Sequence, residues 1–305
     1  MAPEAIDPSA DGLLLVGHGT RSGAGRTEML QLGELVAAGV GAVAVETGFL
    51  ELSDPPAGVA LDRLVSGGAT RIAVVPLMLN AAGHSKSDVP AVVLDGRERH
   101  PGVTLHYGRP LGPDQVVLAL ARDRIEAAGG AGLPLALLAR GTSDPDANAE
   151  AYKAGRLLAE FVGSPLVVTG FSGVTWPSVG ETLEQLRRQG VDRLACFAWY
   201  LCTGLLVDRM KSDFAEFSER SGVEVVDAGY LGPDPSLVPL VLQRYAEALG
   251  ADIRMNCDAC SYRRPFPGLE DRVGQELGRG HSHLAAEHRR HTHDGSAGEP
   301  AHTHG

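Results

Sequence analysis

Leu13-Leu14-Leu15-Val16-Gly17-His18-Gly19-Thr20 reads as a short strand that breaks at a Gly-His-Gly turn. Four consecutive apolar residues leave no polar face, as expected of a strand covered by helices on both sides of a parallel sheet. In such a sheet the residue just past the C-terminal end of a strand faces the ligand crevice, and His18 stands there. A second run, Arg71-Ile72-Ala73-Val74-Val75-Pro76-Leu77-Met78, leads into Asn80-Ala81-Ala82-Gly83-His84. His84 therefore emerges from the same edge. Either histidine alone reads as a loop residue satisfied by a hydrogen bond. Two imidazoles converging on one edge read as a metal or proton-transfer site.

Outward from these strands the pattern alternates four times. Strands are expected near 12–17, 43–49, 70–77 and 103–107, and helices near 24–38, 57–66, 87–99 and 113–128. Ala57, Ala60, Leu61, Leu64 and Val65 show the three-to-four spacing of a helix with one buried stripe. Strand–helix alternation predicts an α/β fold with a parallel sheet. Ala128-Gly129-Gly130-Ala131-Gly132 breaks the pattern and is the best linker.

Beyond the linker the same order returns. Leu135-Ala136-Leu137-Leu138-Ala139-Arg140-Gly141-Thr142 repeats the opening strand and turn, Phe171 repeats Phe49 and Arg193 repeats Arg71, each pair 122 residues apart. Leu231-Gly232-Pro233-Asp234 repeats Leu111-Gly112-Pro113-Asp114 at a distance of 120. One register held over this length is the mark of internal duplication. The expected architecture is two tandem, similar parallel-sheet units facing a cleft. They are bounded at 12–130 and 131–250, with a lead-in at 1–11 and a tail at 251–305.

The duplication is also an internal control. Arg140 stands where His18 would be, Gly173 where Glu51 would be, and no histidine lies near the counterpart of His84 in Cys202-Thr203-Gly204-Leu205-Leu206. The second unit keeps the scaffold and loses all three polar groups, which assigns them to chemistry rather than to folding. Glu46 is a rival carboxylate; strand alternation, together with the family resemblance given below, favours Glu51.

Composition narrows the function. The chain of 305 residues is 44% hydrophobic and 5% aromatic, with a formal charge of −11, so it carries no basic footprint for nucleic acid. No apolar run reaches the roughly 18–20 residues of a membrane span. The opening MAPEAIDPSADG lacks the basic and apolar regions of a signal peptide. Four cysteines without such a signal suggest reduced thiols and a cytoplasmic location. Cys196 and Cys202, on and just after an apolar strand, read as core cysteines. There is no P-loop and no Gly-x-Ser-x-Gly elbow.

VGHGTRSGAGR (16–26), TGFLELSDP (47–55) and VVPLMLNAAGHSKSDVP (74–90) together resemble the sirohydrochlorin chelatases of the CbiX type. The resemblance covers roughly residues 12 to 250. It implies chelatase-like units of flavodoxin-like topology and insertion of a divalent ion into a tetrapyrrole, with loss of two pyrrole N–H protons. Co²⁺ would serve cobalamin synthesis and Fe²⁺ would serve sirohaem synthesis, with Ni²⁺ a third choice. His18 and His84 would bind the ion, and Glu51 would act as ligand or proton acceptor. Arg21, Lys86 and Arg140 are candidate partners for the carboxylates of sirohydrochlorin.

Past residue 250 the periodicity stops. Met255-Asn256-Cys257-Asp258-Ala259-Cys260 resembles the Met-x-Cys-x-x-Cys motif of the long CbiX forms, which implies a [4Fe–4S] cluster. Two thiolates are half the usual set, so a second subunit, Cys196 or Cys202, or a non-Cys ligand would have to complete it, and a shared cluster would make a homodimer. His281, His283, His288, His291, His293, His302 and His304 lie among Gly, Ser and Arg, a composition expected to be disordered and able to collect metal. The competing function is metal storage or delivery, with the duplicated units as a scaffold for this tail. A pure storage protein would not need three polar groups in only one of two matching units.

Overall fold

A computed structural model of the chain describes residues 12–252, 260, 262, 265 and 267–275. The lead-in, Cys257 and the seven tail histidines lie outside the described residues. The first unit runs β1 (Gly12–Gly17), α1 (Gly23–Gly39), β2 (Ala44–Phe49), α2 (Ala57–Ser66), β3 (Arg71–Pro76), a π-helical turn (His84–Asp88), α3 (Val89–Arg99), β4 (Thr104–Tyr107) and α4 (Gln115–Ala127). The second runs β5 (Leu135–Ala139), α5 (Pro145–Val162), β6 (Val167–Phe171), α6 (Val179–Arg188), β7 (Arg193–Ala198), α7 (Leu205–Ser221), β8 (Glu224–Tyr230) and α8 (Val238–Leu249). The expected strands and helices are all present. The one departure is at 84–88, where the chain makes a π-turn before α3.

Both sheets are parallel, in the orders β2-β1-β3-β4 and β6-β5-β7-β8. Strand side chains alternate between faces. Leu13 and Leu15 join the central core, whereas Leu14 and Val16 pack beneath α2 and α3. In the second unit Leu135 and Leu137 face the same central core, and Ala136 and Leu138 pack beneath α6 and α7. The result is five layers: helices, sheet, shared helices, sheet, helices. No helix among the described residues is long and apolar enough to cross a membrane.

The shared layer shows what the repeat conceals. Helix α4, last in the first unit, packs on α5, β7 and β8 of the second, and α8, last in the second, packs on β3, β4 and α1 of the first. The sequence divides near residue 130, but the packing crosses that boundary twice. Each exchanged helix is pinned by an arginine to the duplicated Leu-Gly-Pro-Asp loop of its host. Arg244 Nη2 donates to the Leu111 carbonyl (2.8 Å) and to Asp114 Oδ2 (3.0 Å). Reciprocally, Arg124 Nε donates to the Leu231 carbonyl (3.1 Å) and Arg124 Nη2 to Asp234 Oδ2 (2.9 Å). A second reciprocal pair joins the units near the strand ends: Ala81 N donates to Glu150, and Thr203 N to Glu28, each at 2.7 Å.

The two arginines differ in burial, which separates their expected effects. The side chain of Arg244 is 1% exposed and that of Arg124 is 40% exposed. Arg244→Ala takes a buried donor from the Leu111 carbonyl and the counter-charge from Asp114 and should cost about 2–4 kcal/mol, whereas Arg124→Ala should cost about 1 kcal/mol or less. Urea unfolding of the two variants side by side checks this order.

Candidate active site

The site begins with strand order. Because β1 lies between β2 and β3, the loops after these three strands leave the sheet side by side. Pairing continues past the strand ends: Leu50 N donates to the Gly17 carbonyl (3.0 Å) and Glu51 N to the His18 carbonyl (3.1 Å). Glu51 is thereby registered beside His18. The approach is close enough to demand glycine at residue 19, which has φ of +95°; a Cβ there would lie 1.7 Å from the Glu51 carbonyl oxygen.

His18, Glu51 and His84 come together as expected. Each offers one ligand atom, and these atoms all lie within 4.8 Å of one another. The imidazole rings of His18 and His84 meet edge to face with centroids 4.3 Å apart. His18 Nε2 lies 3.4 Å from Glu51 Oε1. Glu46, the rival carboxylate, instead lies 3.6 Å from Arg63 on α2.

The hydrogen bonds decide the tautomers. His18 Nδ1 is 2.9 Å from the Gly19 carbonyl, and His18 Nε2 is 3.1 Å from Arg140 Nη1. A carbonyl only accepts and a guanidinium only donates, so Nδ1 carries the proton and Nε2 presents a lone pair. His84 Nδ1 donates to Asp88 Oδ2 at 2.5 Å, which likewise leaves His84 Nε2 as the ligand atom. A carboxylate behind an imidazole fixes the ring and raises its basicity as a ligand.

The π-turn that carries His84 is held through two adjacent residues, Ser85 and Lys86. The Tyr107 hydroxyl donates to the Ser85 carbonyl. Lys86 Nζ donates to Asp144 Oδ2 (2.9 Å) and to Asp146 Oδ2 (2.8 Å) across the junction between the units. This corrects the expected role of Lys86. Its side chain is 2% exposed and both partners are buried, so it is a latch between units and not a partner for substrate carboxylates. Burial alone would lower its pKa, but the hydrogen bonds and charges of Asp146 and Asp144 outweigh this and hold it above the ordinary lysine value. Of the other two candidate cations, Arg21 stands exposed on the loop after β1. Arg140, half-buried at the end of β5, reaches across to His18.

Three features of the site escaped the sequence reading. Asp88 was signalled by its position four residues beyond His84. Asp144 was hidden by its second role, because its Oδ1 caps the start of α5 by accepting from Asp146 N (3.2 Å). The third lies near Arg140, where the Ser172 and Tyr200 hydroxyls hydrogen-bond at 2.5 Å. Burial pushes the Tyr200 hydroxyl up to about 12, with Ser172 and the Arg140 charge pulling the other way.

The cysteine readings divide. Cys196 is fully buried and Cys202 half-buried, and burial raises both thiols, Cys202 to about 12, as suits core residues. Cys260 is also buried, at 5% exposed. The [4Fe–4S] cluster implied by Cys257 and Cys260 finds no support: Cys257 lies outside the described residues, and among those described no group of three clustered ligands includes a cysteine. The described end of the chain instead returns to the second unit, where Arg272 Nη2 donates to Ser143 Oγ at 2.7 Å.

The CbiX family model matches residues 12–128 and again 134–248, which coincide with the two units. The chain is 34% identical to the sirohydrochlorin cobaltochelatase of Priestia megaterium, over 82% of this chain and 84% of that one. It is 29% identical to the sirohydrochlorin ferrochelatase of Bacillus subtilis, over 82% and 97% of the two chains. Among solved structures, SirB from Bacillus subtilis with Fe³⁺ superposes with a TM-score of 0.71 at 28% identity, covering 81% of this chain and 99% of that one. With two family matches in register with the duplication, and a relative of this identity aligned over most of both lengths, the chain belongs to the CbiX family of chelatases.

Proposed function

We propose that this protein inserts a divalent metal ion into sirohydrochlorin, with cobalt as the physiological ion. The observation that carries the reading is the asymmetry of the duplicated fold. Two imidazoles and a carboxylate converge at three strand ends of one unit, and the matching positions of the other unit lack them. A storage protein built on a repeat would gain nothing from that asymmetry.

The chemistry follows from the donor set. The ion is a substrate, and it exchanges part of its water shell for His18 Nε2, His84 Nε2 and Glu51. Imidazole suits first-row divalent ions, and the carboxylate offsets their charge. As the ion passes to the ring nitrogens, these same groups are released. They are then placed to accept the two pyrrole protons that must leave. Asp88 holds His84 in the tautomer this requires. Arg140 and Arg21 are the cations left to meet the carboxylates of the tetrapyrrole. The ligand set does not choose between cobalt and iron. The higher identity to the cobaltochelatase, 34% against 29% for the ferrochelatase, supports cobalt.

The test is an anaerobic spectrophotometric assay with sirohydrochlorin and Co²⁺, Fe²⁺ or Ni²⁺ in parallel. Acceleration of the band shift over the uncatalysed rate, fastest with Co²⁺, is the expected result. No acceleration with any ion would transfer the function to metal handling. In the chelatase reading the histidines from His281 to His304 serve as an arm that collects ions for the site. Deleting residues 281–305 should accordingly slow turnover when Co²⁺ is scarce and leave it unchanged at saturation. Equal slowing in both conditions would rule the arm out.

A further inference from the structure

We infer that Arg140 keeps His18 closed to metal until a carboxylate of the macrocycle draws it away, so that the tetrapyrrole opens the metal site. The inference rests on the chelatase reading above and deepens it.

His18 has one lone pair to give. Its Nδ1 is committed to the Gly19 carbonyl at 2.9 Å, so Nε2 is the atom left for a ligand, and Arg140 Nη1 donates to that atom at 3.1 Å. A guanidinium and a metal ion cannot share one imidazole lone pair. An ion bound at the usual distance of about 2.0–2.2 Å from Nε2 would occupy the space the guanidinium fills, and the two charges repel. Metal binding at His18 therefore requires Arg140 to move.

The duplication shows why this residue is placed to compete. Arg140 occupies the position in the second unit that His18 occupies in the first, so the internal symmetry sets the two side chains facing one another. Its surroundings suit an anion. The Ser172 and Tyr200 hydroxyls are hydrogen-bonded to one another, and the Arg140 charge is felt at Tyr200. A carboxylate is a better partner for a guanidinium than a neutral imidazole is, because the pair is charge-assisted and bidentate. A carboxylate-bearing macrocycle would thus exchange places with His18 at Arg140, and the released lone pair would become available to the ion. Arg140 is a positioning residue in this scheme. It couples the two substrates, and by linkage each must tighten the other to the same degree.

Equilibrium binding of Co²⁺ to the full chain, read as the difference from His18→Ala so that ions held by the tail histidines cancel, tests this without turnover. The macrocycle probe is copper uroporphyrin, whose eight carboxylates are free and whose ring is already filled. In the wild type Co²⁺ should bind weakly alone and about tenfold or more tightly with the probe present, within the usual range of coupling between sites. In Arg140→Ala, Co²⁺ should bind tightly alone, and the probe should add nothing. Arg140→Gln keeps an N–H donor without the charge. It should bind Co²⁺ with intermediate affinity and also lose the coupling, which guards against a misfolded alanine variant. Unchanged Co²⁺ affinity in Arg140→Ala, or equal tightening by the probe in all three proteins, would overturn the inference. His18→Ala separates the two readings. If it leaves Co²⁺ binding intact, the metal site itself is misassigned; if it abolishes binding while Arg140→Ala has no effect, only the coupling role falls.

Discussion

Replacing Lys86 with alanine should destabilise the chain by about 3–5 kcal/mol, the usual cost of removing one partner from a buried ion pair. The loss comes from what is left behind. Asp144 and Asp146 have side chains 1% and 7% exposed, and both direct Oδ2 at the same ammonium. Without it, two like charges remain side by side out of reach of water, and Asp144 cannot turn away while its other oxygen caps α5. Glu150, whose carboxyl burial already pushes up, is close enough to Asp146 to feel its charge and adds to the repulsion. A urea titration should show the midpoint falling by more than 1 M, given slopes of about 1–3 kcal/mol per M. A combined Lys86→Met, Asp144→Asn, Asp146→Asn variant should recover most of the loss, because a neutral cluster carries no stranded charge and Asn still caps the helix. A cost below about 1 kcal/mol for Lys86→Ala would show that water reaches the cluster. The pH dependence has a definite sign. The folded pKa of Lys86 lies above the ordinary 10.5, so its contribution is complete at neutral pH and is lost only as pH climbs through the folded value.

The second large effect is chemical rather than structural. His84→Ala should reduce metal insertion by at least about 100-fold, while thermal unfolding changes little. Removing a group that only orients a ligand costs about 10–100-fold in affinity or activity, and His84 is a ligand itself in the proposed site. Asp88→Asn should accordingly fall within that smaller range, because the amide can still hold the ring at Nδ1 but no longer carries the charge that favours the Nδ1–H tautomer. The fold should survive because the second unit builds the same sheet with no histidine in the matching stretch Gly204-Leu205-Leu206. Insertion kinetics together with Co²⁺ affinity read both variants. Insertion by His84→Ala at the wild-type rate would displace the active site from these strand ends.

Much of this protein was legible in its sequence because the signals were local or repeated. Runs such as Leu13–Val16 announce buried parallel strands, the amphipathic spacing of 57–65 announces a helix, and residues at strand ends must face the crevice. The duplication added to this, since Arg140, Gly173 and the absence of histidine from residues 204–206 single out the three groups of the first unit that the structure brings together. The pairings across units were not legible. Lys86 reads as a free cation until α5 brings Asp144 and Asp146 to it from about 60 residues away. Helices α4 and α8 read as the last helices of their own units until packing exchanges them. Arg140 reads only as a carboxylate partner, and its contact with His18 Nε2 appears once the two units close on one another. Periodicity reports which face of a segment is buried, and that is a property of the segment alone. Which partner does the burying depends on how two sheets and their shared helices close around one core, and only the tertiary structure decides it.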